Sequence, residues 1–128
     1  MKLLLDTHAF LWWDSAPEQL SPRALSLCED TNNLLHLSVA SLWEIQIKTQ
    51  IGKLKMFMSL PDLVLSQQEA NNLVIVSVQA RHTYALDDLP TLHRDPFDRI
   101  IVAQAKTERL CIISHDDIVR QYPVDVEW

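Results

Sequence analysis

The chain has 128 residues, 48% of them hydrophobic, and a formal net charge of −6. That size and composition support one domain spanning 1–128 with a real core, and exclude a disordered chain. The acidic balance excludes a protein that grips nucleic acid by bulk positive charge, but not a nucleic-acid enzyme whose acids are masked by cations.

In chain order, Leu3-Leu4-Leu5 reads as a short strand buried on both faces and ends at Asp6. Thr7 to Asp14 follows as a short helix bearing Trp12 and Trp13. Ser21 is placed to cap a helix from Pro22 to about Asp30, with proline at its first position. Leu34 to Leu37 is a second strand. Ser38 then caps a helix from Val39 to about Ile51, closed by Gly52. Leu60 to Asn71 is a further helix, and Leu73 to Val76 a third strand. Ser77 is expected to cap a short helix through Tyr84, and Asp87 to Leu92 to form a loop. Asp95 and Pro96 open a helix that runs to Arg109. Leu110 to Ile113 is a fourth strand, Ile118 to Tyr122 a short helix, and Val124 to Trp128 an alternating edge strand. Strands alternating with helices imply βαβ units and a mainly parallel sheet.

Gly52 is the only glycine. A dinucleotide fingerprint needs three glycines and a phosphate-binding Walker loop two, so neither is built here in its usual form. Cys28 and Cys111 lack metal or redox spacing, and Cys111 lies in an apolar run. The opening leucine run is cut short by Asp6, and no run approaches the length of a membrane span. The expectation is a cytoplasmic protein without membrane association.

Asp98 breaks the pattern of its helix. At about 100° per residue it shares a face with Ile101, Val102 and Ala105, so a carboxylate heads a stripe that should pack inward. Glu44 repeats the anomaly on the face of Ala40, Ile47 and Ile51, with Lys48 one turn away as an ordinary ion-pair partner. In an open parallel sheet, ligands bind beyond the carboxyl ends of the strands. Asp6, Asp116 and the starts of the helices carrying Glu44 and Asp98 all belong at that edge. Asp6 and Asp116 also suit helix capping, as does Asp95. Converging carboxylates repel one another, and a divalent cation relieves that repulsion. All-oxygen donors favour Mg²⁺ or Mn²⁺, and the absence of His or Cys ligand spacing disfavours zinc. A carboxylate-held Mg²⁺ suits phosphoryl chemistry.

The segments Leu3-Leu4-Leu5-Asp6-Thr7-His8, Ser38 to Ile45 continuing to Lys48 and Gly52-Lys53-Leu54, His93-Arg94-Asp95-Pro96-Phe97-Asp98-Arg99, Ala103-Gln104-Ala105, Ile113-Ser114-His115-Asp116 and Val126-Glu127-Trp128 together resemble the PIN-domain nucleases, most closely the VapC-type toxins of toxin–antitoxin pairs. The resemblance spans essentially the whole chain. It implies a three-layer α/β/α fold around a mainly parallel sheet of about five strands. It also implies Mg²⁺- or Mn²⁺-dependent endoribonuclease activity, an RNA substrate, a homodimer and an antitoxin partner that covers the site. Carried over by position, the catalytic and metal-binding acids are Asp6, Glu44, Asp98 and Asp116, with Asp95 as a further metal ligand. Asp116 is preferred over its neighbour Asp117. Lys48, Arg94 and Arg99 are expected to contact substrate phosphates, as are Lys53 and Lys55, while Arg99 has a second option in clamping an acid. Trp12, Trp13 and Trp43 are assigned to core or dimer packing rather than to base stacking.

Two other readings share the acids. A response-regulator-like signalling domain would have paired acids after the first strand and a phosphoacceptor Asp after the third. Here Asp6 stands alone and Ser77 follows the third strand. A non-catalytic binding module of the same fold would have no need of four retained acids.

Overall fold

A computed structural model describes residues 1–128. The elements are β1 (Lys2–Leu5), α1 (Thr7–Ser15), α2 (Pro22–Glu29), β2 (Leu34–Ser38), α3 (Val39–Gln50), α4 (Leu60–Asn71), β3 (Val74–Val76), α5 (Ala80–Ala85), α6 (Pro96–Glu108), β4 (Cys111–Ile113) and β5 (Val126–Glu127). Five strands form one sheet in the order β3-β2-β1-β4-β5, every pairing parallel. That order differs from the 2-1-3-4-5 order of response-regulator folds, so the signalling alternative fails on topology. No helix is long and apolar enough to cross a membrane.

The central strand explains the layering. Successive side chains of a strand point to opposite faces. Leu3 and Leu5 join one buried cluster with Ala9 and Phe10 of α1, Ala24 and Cys28 of α2 and Leu63 of α4. Leu4 joins a second cluster on the opposite face, with Ile101, Val102 and Ala105 of α6. All three leucines are fully buried, which is why the run is continuous rather than alternating. The result is helices on both faces of a parallel sheet.

Local chemistry sets the ends of the elements. Ser21, Ser38 and Ser59 accept backbone N–H bonds at the starts of α2, α3 and α4. Gly52 follows α3 with φ +77°, a left-handed conformation that costs glycine little.

Three local expectations are corrected. The helix expected from Ser77 begins at Ala80. The Ser77 carbonyl is engaged by Gln104 Nε2, and His82 Nδ1 accepts the Gln79 backbone N–H, fixing the later start. The short helix expected at Ile118–Tyr122 contracts to a single 3₁₀ turn, Val119–Gln121. Of the core or dimer packing expected for Trp43, the core is ruled out: Trp43 is 64% exposed and meets Phe97 edge-on, with ring centroids 5.2 Å apart. Trp12 and Trp13 are half-buried against the first cluster.

The chain winds from β1 outward to β3 on one side and from β4 to β5 on the other. The switch point therefore lies between β1 and β4. The crevice outside the carboxyl ends of those two strands is where such sheets bind ligands.

Candidate active site

Each acid reaches that crevice through ordinary local structure. Asp6 follows β1 directly; its Oδ1 accepts the Ala9 N–H at 2.8 Å and so caps α1. Asp116 lies in the turn after β4, where its Oδ1 accepts the Ile118 N–H at 2.8 Å. Glu44 sits in the second turn of α3 and is buried. Its Oε1 accepts the Thr7 hydroxyl at 2.6 Å, and its Oε2 pairs with Lys48 Nζ at 2.8 Å. Asp95 caps α6, accepting the N–H groups of Phe97 and Asp98. Asp98 follows in the first turn. All five carboxylates line one cleft, together with His8, Trp12, Lys48 and His115. Capping and cleft lining are thus not alternatives for Asp6 and Asp95; each does both.

The acids differ in how well they are held. Burial raises Asp6 above the usual carboxylate range, against the opposing pull of hydrogen bonds from Ser114 and Ala9. Burial also works upward on Asp116, but hydrogen bonds from His93 and from the Ile118 backbone outweigh it, and the net shift is downward. Asp98 is the exception. Burial, then the charges of Asp95, Asp6 and Glu44, push it up to about 7. His93 Nε2 lies 3.1 Å from Asp98 Oδ2, but its hydrogen bond is directed at Asp116 Oδ2, 2.8 Å away. A partly buried carboxylate without a directed donor, set among like charges, is what a bound cation would satisfy. The donor set is oxygen-rich and suits Mg²⁺ or Mn²⁺.

This electrostatics has a consequence for stability. Asp98 titrates near 7 in the folded chain and near 3.8 when unperturbed, so between those values the folded state holds more protons than the unfolded state. Stability therefore falls as pH rises through that window. Asp6 acts in the same direction. Asp116, held low, contributes stability that is lost only as pH falls below about 3.8, outside the window. In EDTA, the melting temperature is expected to be higher at pH 5 than at pH 7.5. Mn²⁺ at pH 7.5 is expected to recover most of the difference, because a cation that binds only the folded state stabilises it. A metal-free melting temperature that climbs from pH 5 to 7.5 would contradict this assignment.

The expected substrate residues separate. Lys48 lines the cleft, and Lys53 and Lys55 line the adjoining groove, which shares His8, Trp12 and Lys48 with it. Arg94 is exposed and does not line the cleft. For Arg99 the acid clamp is corrected: its guanidinium reaches the Leu86 carbonyl, Nε is buried without a partner, and it clamps no acid. Asp117 is exposed beyond the cleft that Asp116 lines. The sequence reading missed His93 as a site residue. Its contact with Asp116 spans 23 positions of sequence, and no periodicity signals it.

The fold and site define an α/β chain whose carboxylates converge at the switch point of a parallel sheet, an oxygen-rich cluster that could hold a divalent cation. This chain belongs to the PIN domain family, whose profile matches residues 3–124. Ribonuclease VapC22 of Mycobacterium tuberculosis is 26% identical over 121 residues, covering 94% of this chain and 91% of that protein. A chain of VapBC2 from Rickettsia felis, solved bound to a DNA fragment from its promoter, superposes with a TM-score of 0.74 at 19% identity, covering 99% of this chain and 98% of that one. DNA-bound VapBC from Salmonella typhimurium gives 0.67 at 14% identity, covering 99% and 97%. VapBC-1 from nontypeable Haemophilus influenzae gives 0.64 at 16%, covering 99% and 97%. These structural likenesses establish the fold.

Proposed function

We propose that the chain is a divalent-cation-dependent endoribonuclease, acting as one PIN domain over 1–128 and serving as the toxin of a toxin–antitoxin pair. The observation that carries the nuclease reading is the convergence of Asp6, Glu44, Asp98, Asp116 and Asp95 on one cleft, with Asp98 lacking a directed donor. The likeness to Ribonuclease VapC22 supports RNA as substrate. The solved VapBC relatives support an antitoxin partner, and the family resemblance adds a homodimer.

Asp6, Glu44, Asp98 and Asp116 would hold Mg²⁺ or Mn²⁺, with Asp95 at the rim. When bound, such an ion activates water and offsets charge on the leaving oxygen. The protein's own groups prepare the site. Thr7 and Lys48 orient Glu44 and offset part of its charge, the α1 N-terminus holds Asp6, and the Ile118 N–H holds Asp116. Lys48, Lys53 and Lys55 offer positive charge along the groove that leads away from the acids, where RNA phosphates would lie. The test is incubation of antitoxin-free protein with a mixed structured RNA in Mg²⁺, in Mn²⁺ and in EDTA. Cutting in either metal and none in EDTA is expected. Cutting that persists in EDTA would overturn the cation-dependent reading.

A further inference from the structure

His93 is fixed at three points. Its backbone N–H donates to the Tyr122 hydroxyl at 2.7 Å. Its Nδ1 accepts the Asp95 backbone N–H at 3.1 Å. Its Nε2 stands 2.8 Å from Asp116 Oδ2 and 3.1 Å from Asp98 Oδ2. A ring nitrogen that accepts an N–H carries no proton of its own, so the ring proton is on Nε2. The atom facing the two carboxylates therefore offers a hydrogen, not a lone pair. Geometrically, His93, Asp98 and Asp116 form a cluster compact enough to hold a metal ion, but the backbone bond at Nδ1 removes His93 from the ligand set.

We propose that His93 is a positioning residue for the carboxylate pair. Its Nε2–H holds Asp116 turned toward Asp98, so that the remaining oxygen lone pairs of both acids converge on one point in the cleft. The bond joins the segment before α6 to the turn after β4, 23 positions apart in sequence. Asp116 is otherwise held by short-range contacts within its own turn: the Ile118 N–H and the Val119 backbone act on its carboxylate, the Arg120 N–H donates to its carbonyl, and its own N–H donates to Ser114 Oγ. Those contacts set the turn but not its distance from α6. His93 sets that distance. A ligating carboxylate with an outer hydrogen-bond partner of this kind loses roughly 10–100-fold in metal affinity when the partner is removed.

The inference rests on the cation-binding reading, and the experiment separates the two. Mn²⁺ alone is titrated calorimetrically into the wild type, His93→Ala and His93→Gln. A glutamine amide places an N–H near the position of Nε2 and accepts no ring-type metal bond. Expected is a loss of about 10–100-fold in Mn²⁺ affinity for His93→Ala, largely restored by His93→Gln. Cleavage by His93→Ala is expected to need correspondingly more Mn²⁺, with a near-normal turnover at saturation. In nitrogen-15 NMR, the His93 Nε2–H signal is expected in metal-free protein and again after Mg²⁺ is added. Wild-type affinity in folded His93→Ala overturns the positioning role alone. Loss of the Nε2–H signal on Mg²⁺ addition also overturns it, because His93 would then be a ligand. A wild type that binds no Mn²⁺ overturns both readings.

Discussion

Asp98→Asn is expected to abolish RNA cleavage while making the metal-free protein more stable at pH 7.5. The two effects come from the same physics. Asp98 is held among Asp95, Asp6 and Glu44, and burial with those charges pushes its carboxyl up to about 7. Asparagine keeps the shape and removes the charge, so it relieves the repulsion that ionisation imposes near neutral pH. The same change removes an anionic oxygen from the proposed cation site. Losing even an outer hydrogen-bond partner of a ligand costs about 10–100-fold, and a direct ligand should cost more. Cleavage is therefore expected to fall by more than about a hundredfold, with a melting temperature in EDTA above that of the wild type. Full cleavage by folded Asp98→Asn would remove Asp98 from the site. A lowered metal-free melting temperature at pH 7.5 would contradict the repulsive environment.

Phe10→Ala is expected to be the most damaging simple truncation in the core. Phe10 is fully buried on α1, within the cluster that contains Leu3, Leu5, Leu37 and Ile113 from three strands. Deleting a buried phenyl ring costs about 3–5 kcal/mol in lost transfer energy and cavity formation. A domain of ordinary stability has only about 5–15 kcal/mol to lose. For a chain of this size the melting temperature should drop by roughly 10–20 °C. The Phe10 N–H also donates to the Asp6 carbonyl at 3.0 Å, in the first turn that Asp6 caps, so loosening α1 would loosen an acid of the cleft. Urea unfolding of the variant beside the wild type measures the loss. A change below about 1 kcal/mol would mean that α1 is not packed on the sheet as described.

Much of this architecture was legible because its signals are local. The Leu3–Leu5 run announced a strand buried on both faces, and Pro22 and Pro96 marked helix starts. Asp98 above Ile101, Val102 and Ala105 was read correctly as a carboxylate heading a buried stripe: those three residues are buried, and Asp98 is partly so. Glu44 was recognised as anomalous, but on the wrong stripe. Its buried neighbours on α3 are Ala40, Ser41 and Ile45, whereas Ile47 is half-buried and Ile51 exposed. Periodicity gives the face of a helix only to within a residue or so, and α3 turns a polar strip of Ser41 and Glu44 toward Thr7.

What escaped the sequence was set by distant contacts. The start of α5 is fixed by Gln104 reaching Ser77 across 27 positions, so Ser77 could look like a cap and not be one. Arg99 stands beside an acid in sequence, yet its helical position carries it to the Leu86 carbonyl. Trp43 was assigned to core or dimer packing, and only the folded chain shows that it lies on the surface and not in the core. The end of α6 carried no glycine signal, because Arg109 itself adopts the left-handed conformation. His93 was visible within a motif but its role was not. It acts between two segments that meet only in the folded chain.

On the proposed function, the carboxylates would hold a cation that supplies activated water for cleavage of an RNA phosphodiester. The chemistry of the cut ends tests it most directly. A 5′-labelled RNA is incubated with wild-type protein in Mg²⁺ or Mn²⁺, and the ends of any fragments are determined. Attack by activated water is predicted to leave a 5′-phosphate on the downstream fragment and a 3′-hydroxyl on the upstream one. A 2′,3′-cyclic phosphate with a 5′-hydroxyl would mean that the ribose 2′-oxygen is the nucleophile, and would contradict the account.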